Sequence, residues 1–408
     1  MSISRLAVRK RRTSGLPDDL KMANQHRMRQ ASTIVAAIAA VFLLAIPVGI
    51  WYRARAVRLE IESDVPRIGI IDYYGLRTVT PQQIRAKLNL KEGDVAPIDL
   101  DEMDGPRMMT ALIKMVWRLS PGQSEVDKNV VIASLEQIPG VVRADVVSGL
   151  GGGSRKATMF VGIEEAGAPH FDYRPVPTGA AKLPASMTTA YDQLIQALPG
   201  ALANGVEEDD SRGYALHNDA TMRATEEKMI AFAATDIAPV RDVLKNAADT
   251  RQRIAAAWII GYAPDKRAVL DDLLDAVRDP EETVRNNATR EIGIIAEFAS
   301  HRPDLGIRID PTRFIDMLNS LIWTDRNKAT MVLYGLTETR SADTLQLLRA
   351  RALPALLEMA RWKDDHAWDA LELLGRIAGL DDKEIEAARD RNERERILAL
   401  ATLRDDMK

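Results

Sequence analysis

The chain has 408 residues, 46% apolar and 28% charged, a composition of folded protein in a length that exceeds one ordinary domain. A net charge of −4 gives no general case for nucleic-acid binding. The absence of cysteine excludes disulfides, thiolate catalysis and Cys-ligated zinc.

Residues 1–29 form a basic tail with eight Lys or Arg against two Asp, including the block Arg9-Lys10-Arg11-Arg12. The next 23 residues, Gln30 to Tyr52, carry no charge. At about 1.5 Å per residue they make roughly 34 Å of helix, enough to cross a hydrocarbon layer of about 30 Å. Trp51-Tyr52-Arg53 has the form of an interfacial anchor, and the charge excess before the run favours an inside N-terminus. Residues 30–52 are therefore expected to be a transmembrane signal anchor. This places the protein in the cytoplasmic (inner) membrane as a single-pass chain, with its bulk periplasmic or otherwise extracytoplasmic. The small-x-small triplet Ala54-Arg55-Ala56 supports an alternative, in which the signal is cleaved and the chain is exported or associated with the outer membrane.

Residues 64–167 read as mixed α/β. Arg67 to Gly75 is rich in β-formers and ends in glycine, so a strand is expected there. Thr80-Pro81-Gln82-Gln83 has the form of a capping box with proline at the first helical position, which predicts a helix to about Leu90. A second helix is expected over Val130–Ile138, stopped by Pro139-Gly140, and strands over Val141–Val147 and Ala157–Ile163. The glycines of Gly149–Ser154 lack phosphate-loop spacing and precede a strand, so they read as a hairpin tip. Between the two helices, residues 103–129 carry Met108, Leu112, Met115, Val116 and Leu119 at helical spacing. They read as an inserted amphipathic helix centred on 106–119.

This strand–helix–helix–strand–strand order resembles the POTRA domain, the polypeptide-transport-associated module. The resemblance rests on Ile68, Ile70, Gly75, Thr80, Ile84, Gly93-Asp94, Leu135, Ile138-Pro139-Gly140-Val141 and Val161 to Glu164. It implies a small α+β domain that contacts proteins and catalyses nothing. An open edge of its sheet can accept an extended peptide as an added strand.

Residues 168–185 hold Pro169, Pro175, Pro177 and Pro184 and read as a linker or extended arm, in which His170, Phe171 and Tyr173 pin the segment to a neighbouring domain. From residue 186 to 408 the patterns are helical and repeat. Ala256, Ile260 and Gly261 recur as Ala288, Ile292 and Gly293 and as Ala370, Leu374 and Gly375, and Arg326 to Ala329 with Leu333 matches Arg285 to Ala288 with Ile292. Offsets of 32, 41 and 41 residues are those of stacked helix pairs. Asp279-Pro280 with Val284-Arg285 resembles the turn and second helix of a HEAT repeat, which implies an all-α solenoid with Arg–Asp ladders between repeats.

No metal-ligand, calcium-loop or nucleophile-elbow spacing involves the five histidines or the acidic clusters, so no enzyme, cofactor, metal or small-molecule ligand is expected. The fold class expected is multidomain: a transmembrane helix, a small α+β POTRA-like domain and an all-α HEAT-like solenoid. The function expected is that of a membrane-anchored scaffold or adaptor for other proteins, envelope proteins first among them. A chaperone-like role in envelope or outer-membrane assembly is the alternative, and an unmarked hydrolase or lyase a remote one. Asn286, Asn287, Trp323, Arg326, Asn327 and Trp362 are the candidate protein-binding residues.

Overall fold

A computed structural model describes residues 67–96, 128–150 and 156–403. Strand β1 (Arg67–Tyr74) ends at Gly75, whose φ of 79° is left-handed and favours glycine. A β-carbon at Gly75 would also stand 2.0 Å from the carbonyl oxygen of Ile163. Helix α1 (Pro81–Leu88) opens on the expected capping box. The Thr80 hydroxyl accepts from the Gln83 N–H, and the Gln83 side chain accepts from the Thr80 N–H. Left-handed Asn89 stops this helix just before Leu90. Helix α2 (Lys128–Leu135), strand β2 (Val141–Leu150) and strand β3 (Lys156–Glu165) follow. Both strands are longer than their apolar alternation suggested.

The sheet order is β1-β3-β2, with β1 parallel and β2 antiparallel to the central β3. Successive side chains of β3 point to opposite faces. Ala157, Met159, Val161 and Ile163 pack with Ile84, Leu88, Val131 and Leu135 of the two helices. Phe160 faces the other way and, with Tyr74, joins the core of the helical repeats. The face that alternation marks as the weaker one is therefore also buried. Gly162 makes this possible, because a β-carbon there would stand 2.5 Å from the Tyr74 ring.

The remaining elements are helices α3 (Ala185–Ala203), α4 (Ala220–Thr235), α5 (Ala238–Asn246), α6 (Thr250–Ile259), α7 (Lys266–Ala276) and α8 (Glu282–Ser300), then α9 (Thr312–Met317), α10 (Trp323–Leu336), α11 (Ala342–Arg351), α12 (Leu353–Met359), α13 (Ala367–Ala378), α14 (Asp382–Asp390) and α15 (Arg394–Leu403). A two-residue hairpin, β4 (Glu208–Asp209) with β5 (Leu216–His217), interrupts them between α3 and α4. Helices α6, α8, α10 and α13 stack side by side as the second members of successive pairs. The repeating Ala256, Ala288, Ala329 and Ala370 and the aliphatic Ile260, Ile292, Leu333 and Leu374 are all fully buried in that stack. This is a helical repeat array held by neighbour-to-neighbour packing.

Arginines tie each repeat to the next. Arg253 pairs with Asp279, Arg285 with Asp325 and Arg326 with Glu358, at 2.8–3.0 Å. Each guanidinium also donates to carbonyls of the turn before its own helix: Ala247 and Ala248, Asp279 and Pro280, and Ser320. Thr289 and Thr330 close the pattern by donating to the carbonyls of Arg285 and Arg326.

The expected fold class and location are corrected. Among the described residues no helix is long and apolar enough to cross a membrane. The described residues are mostly helical, and only small sheets are present among them. The sheet is not a free α+β body either, since one of its faces shares the core of the repeats. The single-pass, inner-membrane placement with a periplasmic bulk is withdrawn with that finding. The segment 30–52 that suggested it, the basic tail 1–29, the cleavage-like triplet 54–56, the insertion 106–119 and residues 151–154 of the hairpin tip lie outside the described residues, while Gly149 and Leu150 belong to β2.

Candidate functional site

The sheet meets the repeats along an aromatic seam. Phe160 of β3 stacks on Trp323 at 4.5 Å between ring centroids and lies 5.3 Å from Trp362, and Tyr74 of β1 meets Trp362 edge-on at 6.0 Å. The Trp362 indole N–H donates to the Tyr73 carbonyl, and the buried Tyr74 hydroxyl donates to the Leu321 carbonyl. Burial pushes the Tyr74 phenol well above its ordinary range.

Polar contacts frame these rings. The Asp72 carboxylate accepts from the N–H groups of Lys363 and Asp364 at 2.9–3.0 Å. Glu358 accepts from Gly75 and Leu76 N–H through one oxygen and from Arg326 through the other. Thr158 donates to Asp364, which also pairs with His366. Burial alone would raise Asp364, but the His366 and Thr158 hydrogen bonds bring it down to about 2.

Beside the seam opens a cleft of about 970 Å³. One wall is β1 at Ile71, Asp72 and Tyr73 with Gly75 and Leu76 just after it, and the opposite wall is α12 with the turn after it, including Pro354, Ala355, Glu358, Arg361 and Lys363. The outer edge of β1 is paired only at its start, where Ile68 N–H donates to Asp94 and Gly93 N–H donates to Ile68. Beyond Ile68 no main chain among the described residues pairs with that edge.

The structure places the sequence-predicted site residues in two groups. Trp323, Arg326 and Trp362 come together at the seam, 9%, 5% and 2% exposed. The surface that covers them belongs to this same chain, with Arg326 lying 4.8 Å from the Tyr74 ring. Asn287 is buried and donates to the Ile254 carbonyl in the preceding repeat. Asn286 and Asn327 are half-buried on α8 and α10, apart from the seam.

Residues 168–184 run in extended form along the repeats, against their chain order. Tyr173 lies under Arg285 at 4.3 Å, with its hydroxyl 3.2 Å from Ser320. Arg174 binds Asp275, Asp279 and the Leu244 carbonyl. Gly179 exchanges main-chain hydrogen bonds with Asn246 and Ala248, and Leu183 N–H reaches Gln252. The helix-connecting turns thus bind an extended backbone, here the chain's own.

Sequence reading missed a buried ionic cluster under the β4–β5 hairpin, because the hairpin is too short to leave a period. His217 contacts Glu226 at 2.5 Å and Glu208 at 3.1 Å. Burial works against the imidazolium, but hydrogen bonds to the two glutamates raise His217 to about 9. Arg290 joins Glu208 to the buried Glu291. Lys266 donates to the Gly261 carbonyl and lies 3.8 Å from the Tyr214 ring, and burial pushes it down to about 7 despite the attraction of Glu291. Among the described residues no set of three or more His, Asp or Glu side chains is placed to hold a metal ion.

A lysine whose folded-state value lies below its ordinary 10.5 weakens the fold while protonated, and the penalty fades as pH rises from about 7 to 10.5. Lys266→Met should therefore stabilise the chain at pH 6–7, because it removes the cost of keeping a charge in a buried site. The gap to wild type should close towards pH 10.5 in urea titrations run at several pH values. A variant that is less stable than wild type below pH 7 would reject this assignment. His217 has the opposite sign: it stabilises below 6.5 and fades as pH rises through 9, so only the difference between the two proteins isolates Lys266.

No family model matches the chain, and no curated protein matches it. Solved structures with partial likeness include a designed armadillo repeat protein in complex with a (KR)4 peptide, at 17% identity and a TM-score of 0.32, covering 53% of this chain and 97% of that one. Computationally designed armadillo repeat proteins for modular peptide recognition match at 13% and 0.31, covering 53% and 98%. A Kap121p mutant matches at 18% and 0.32, covering 50% of this chain and 22% of that one. Likeness of this size carries no inference about what the chain binds, and the repeat architecture described above rests on the chain's own packing.

Proposed function

We propose that the chain is a protein-binding scaffold with no catalytic role, which takes an extended peptide at the open edge of β1. The observation that carries this reading is the run of β1 beyond Ile68, which faces a cleft of about 970 Å³ and, among the described residues, pairs with no other strand on that side, the Tyr73 carbonyl being held by the Trp362 indole. An unpaired edge offers main-chain donors and acceptors, and a facing wall of side chains supplies selectivity. The β–α–α–β–β order with β3 central supports the POTRA-like reading of residues 64–167. The Asp-Pro turn and the arginine ladder support the HEAT-like reading of the repeats. On this view Trp323, Arg326 and Trp362 fix the α12 wall against the sheet, and Arg326 and Trp362 also form part of the cleft lining.

A displayed library of linear peptides, panned on the purified chain, tests this. Enriched peptides should protect the amides of residues 70–74 from hydrogen exchange. Enrichment of no sequence, or protection confined to other parts of the chain, would overturn the reading.

A further inference from the structure

We infer that the segment bound beside β1 is acidic, an extended peptide alternating carboxylate and small apolar side chains; this rests on the strand-addition reading above. Three carboxylates line the cleft, and each is already engaged. Asp72 is held by two N–H groups of the Lys363 turn, Glu164 pairs with Arg143, and Glu358 is shared between Arg326 and the Gly75 turn. Of the five cations in the lining, Arg85 pairs with Glu92 and Arg326 with Glu358. Arg77, Arg361 and Lys363 are exposed and form no ion pair among the described residues, although the Lys363 charge is attracted to nearby Asp72. Arg77 gives one guanidinium hydrogen bond to the Gly167 carbonyl, and Arg361 gives one to the Leu357 carbonyl of its own turn.

An incoming chain therefore meets a cleft whose three carboxylates are engaged, while three of its five cations form no ion pair among the described residues. Unsatisfied cations around a groove favour a carboxylate-bearing guest and reject a basic one. Between the charges the walls are apolar at Leu76, Pro354 and Ala355. A strand added at β1 points alternate side chains to opposite sides, so an acidic-apolar period of two matches both features.

The test uses the full chain and three labelled ten-residue peptides, alternating valine with aspartate, with serine or with lysine, followed by fluorescence anisotropy and hydrogen exchange. The aspartate peptide should bind about tenfold or more tighter than the serine peptide, weaken as salt rises, and protect residues 70–74. The lysine peptide should bind worst. Arg361→Glu with Lys363→Glu changes two exposed side chains and should reverse the order of the aspartate and lysine peptides, with the thermal melt confirming the fold. Equal binding of the serine and aspartate peptides with protection of β1 would overturn the acidic preference and leave the strand-addition reading standing. An aspartate preference unchanged in the double variant would place the cations elsewhere and overturn the inference. Failure of all three peptides to protect β1 would overturn the acidic site, and failure of the library as well would remove the strand-addition reading beneath it.

Discussion

Asp279→Ala is expected to lower the stability of the chain by about 3–5 kcal/mol, the usual loss when one partner of a buried ionic network is removed. Asp279 is fully buried and lies where two structures cross. Arg253 grips it with Nε and a terminal nitrogen at 2.9 and 3.0 Å, linking one repeat to the next. Arg174 reaches it at 2.6 Å from the extended segment, and Glu281 N–H binds it at 2.9 Å to start α8. Alanine leaves the Arg253 guanidinium, in a residue only 1% exposed, with backbone carbonyls alone. Arg174 retains Asp275, but that carboxylate is 44% exposed and so a weaker partner. Urea denaturation gives the size of the loss, and hydrogen exchange gives its place: amides of 173–179 and 247–253 should lose protection together. Asp279→Asn keeps an acceptor without the charge and should fall between alanine and wild type. A loss below about 1 kcal/mol for the alanine variant would show that the crossing contributes little and that the extended segment is held by its other contacts.

That crossing marks where sequence reading succeeds and where it stops. The buried Ala256, Ala288, Ala329 and Ala370 were legible because a helix that packs on its neighbour at every repeat must keep a small residue at the point of approach. Arg285 and Arg326 were legible as ladder members for the same reason. Their acids were not, because the partners lie 26, 40 and 32 residues downstream of Arg253, Arg285 and Arg326. The first helix of each pair varies in length, 11 residues in α7 and 6 in α9, so no fixed offset exists to find. Trp323 and Trp362 stood out as large aromatics, but sequence does not say which surface covers them. The signal was present on the other side of the seam: Phe160 and Tyr74 are bulky aromatics on the sheet face that does not meet α1 and α2. Two sets of aromatic residues without a partner within their own elements are evidence for each other. The capping box at Thr80 was legible because it is local, and the β4–β5 hairpin was not, because two-residue strands leave no alternation.

Trp362→Ala is expected to do more than destabilise: it should separate the unfolding of the sheet from that of the repeats. The sheet has its own small core, made with α1 and α2, and the repeats have theirs. What makes one cooperative body of them is the seam, where Trp362 meets Tyr74 and Phe160 and bonds the Tyr73 carbonyl. Emptying that site costs about 3–5 kcal/mol by the record of large aromatic truncations in cores. The remaining ties are the Phe160–Trp323 stack and hydrogen bonds through Asp72, Thr158, Glu358 and the Tyr74 hydroxyl. Such bonds each contribute about 0.5–1.5 kcal/mol net, and water reaches them once the rings part. Calorimetry should then resolve two transitions where wild type is expected to show one, the usual behaviour when an interface no longer couples two cores. Trp368→Ala is the matched control. Trp368 is half-buried, lies under Arg389 at 5.1 Å and makes none of the ring contacts of the seam, so its loss should be smaller and leave one transition. Two transitions in both variants, or one in both, would deny the seam its coupling role. One transition in Trp368→Ala and two in Trp362→Ala would show that the tryptophan picked out as an anchor for a partner holds together the wall on which the partner docks.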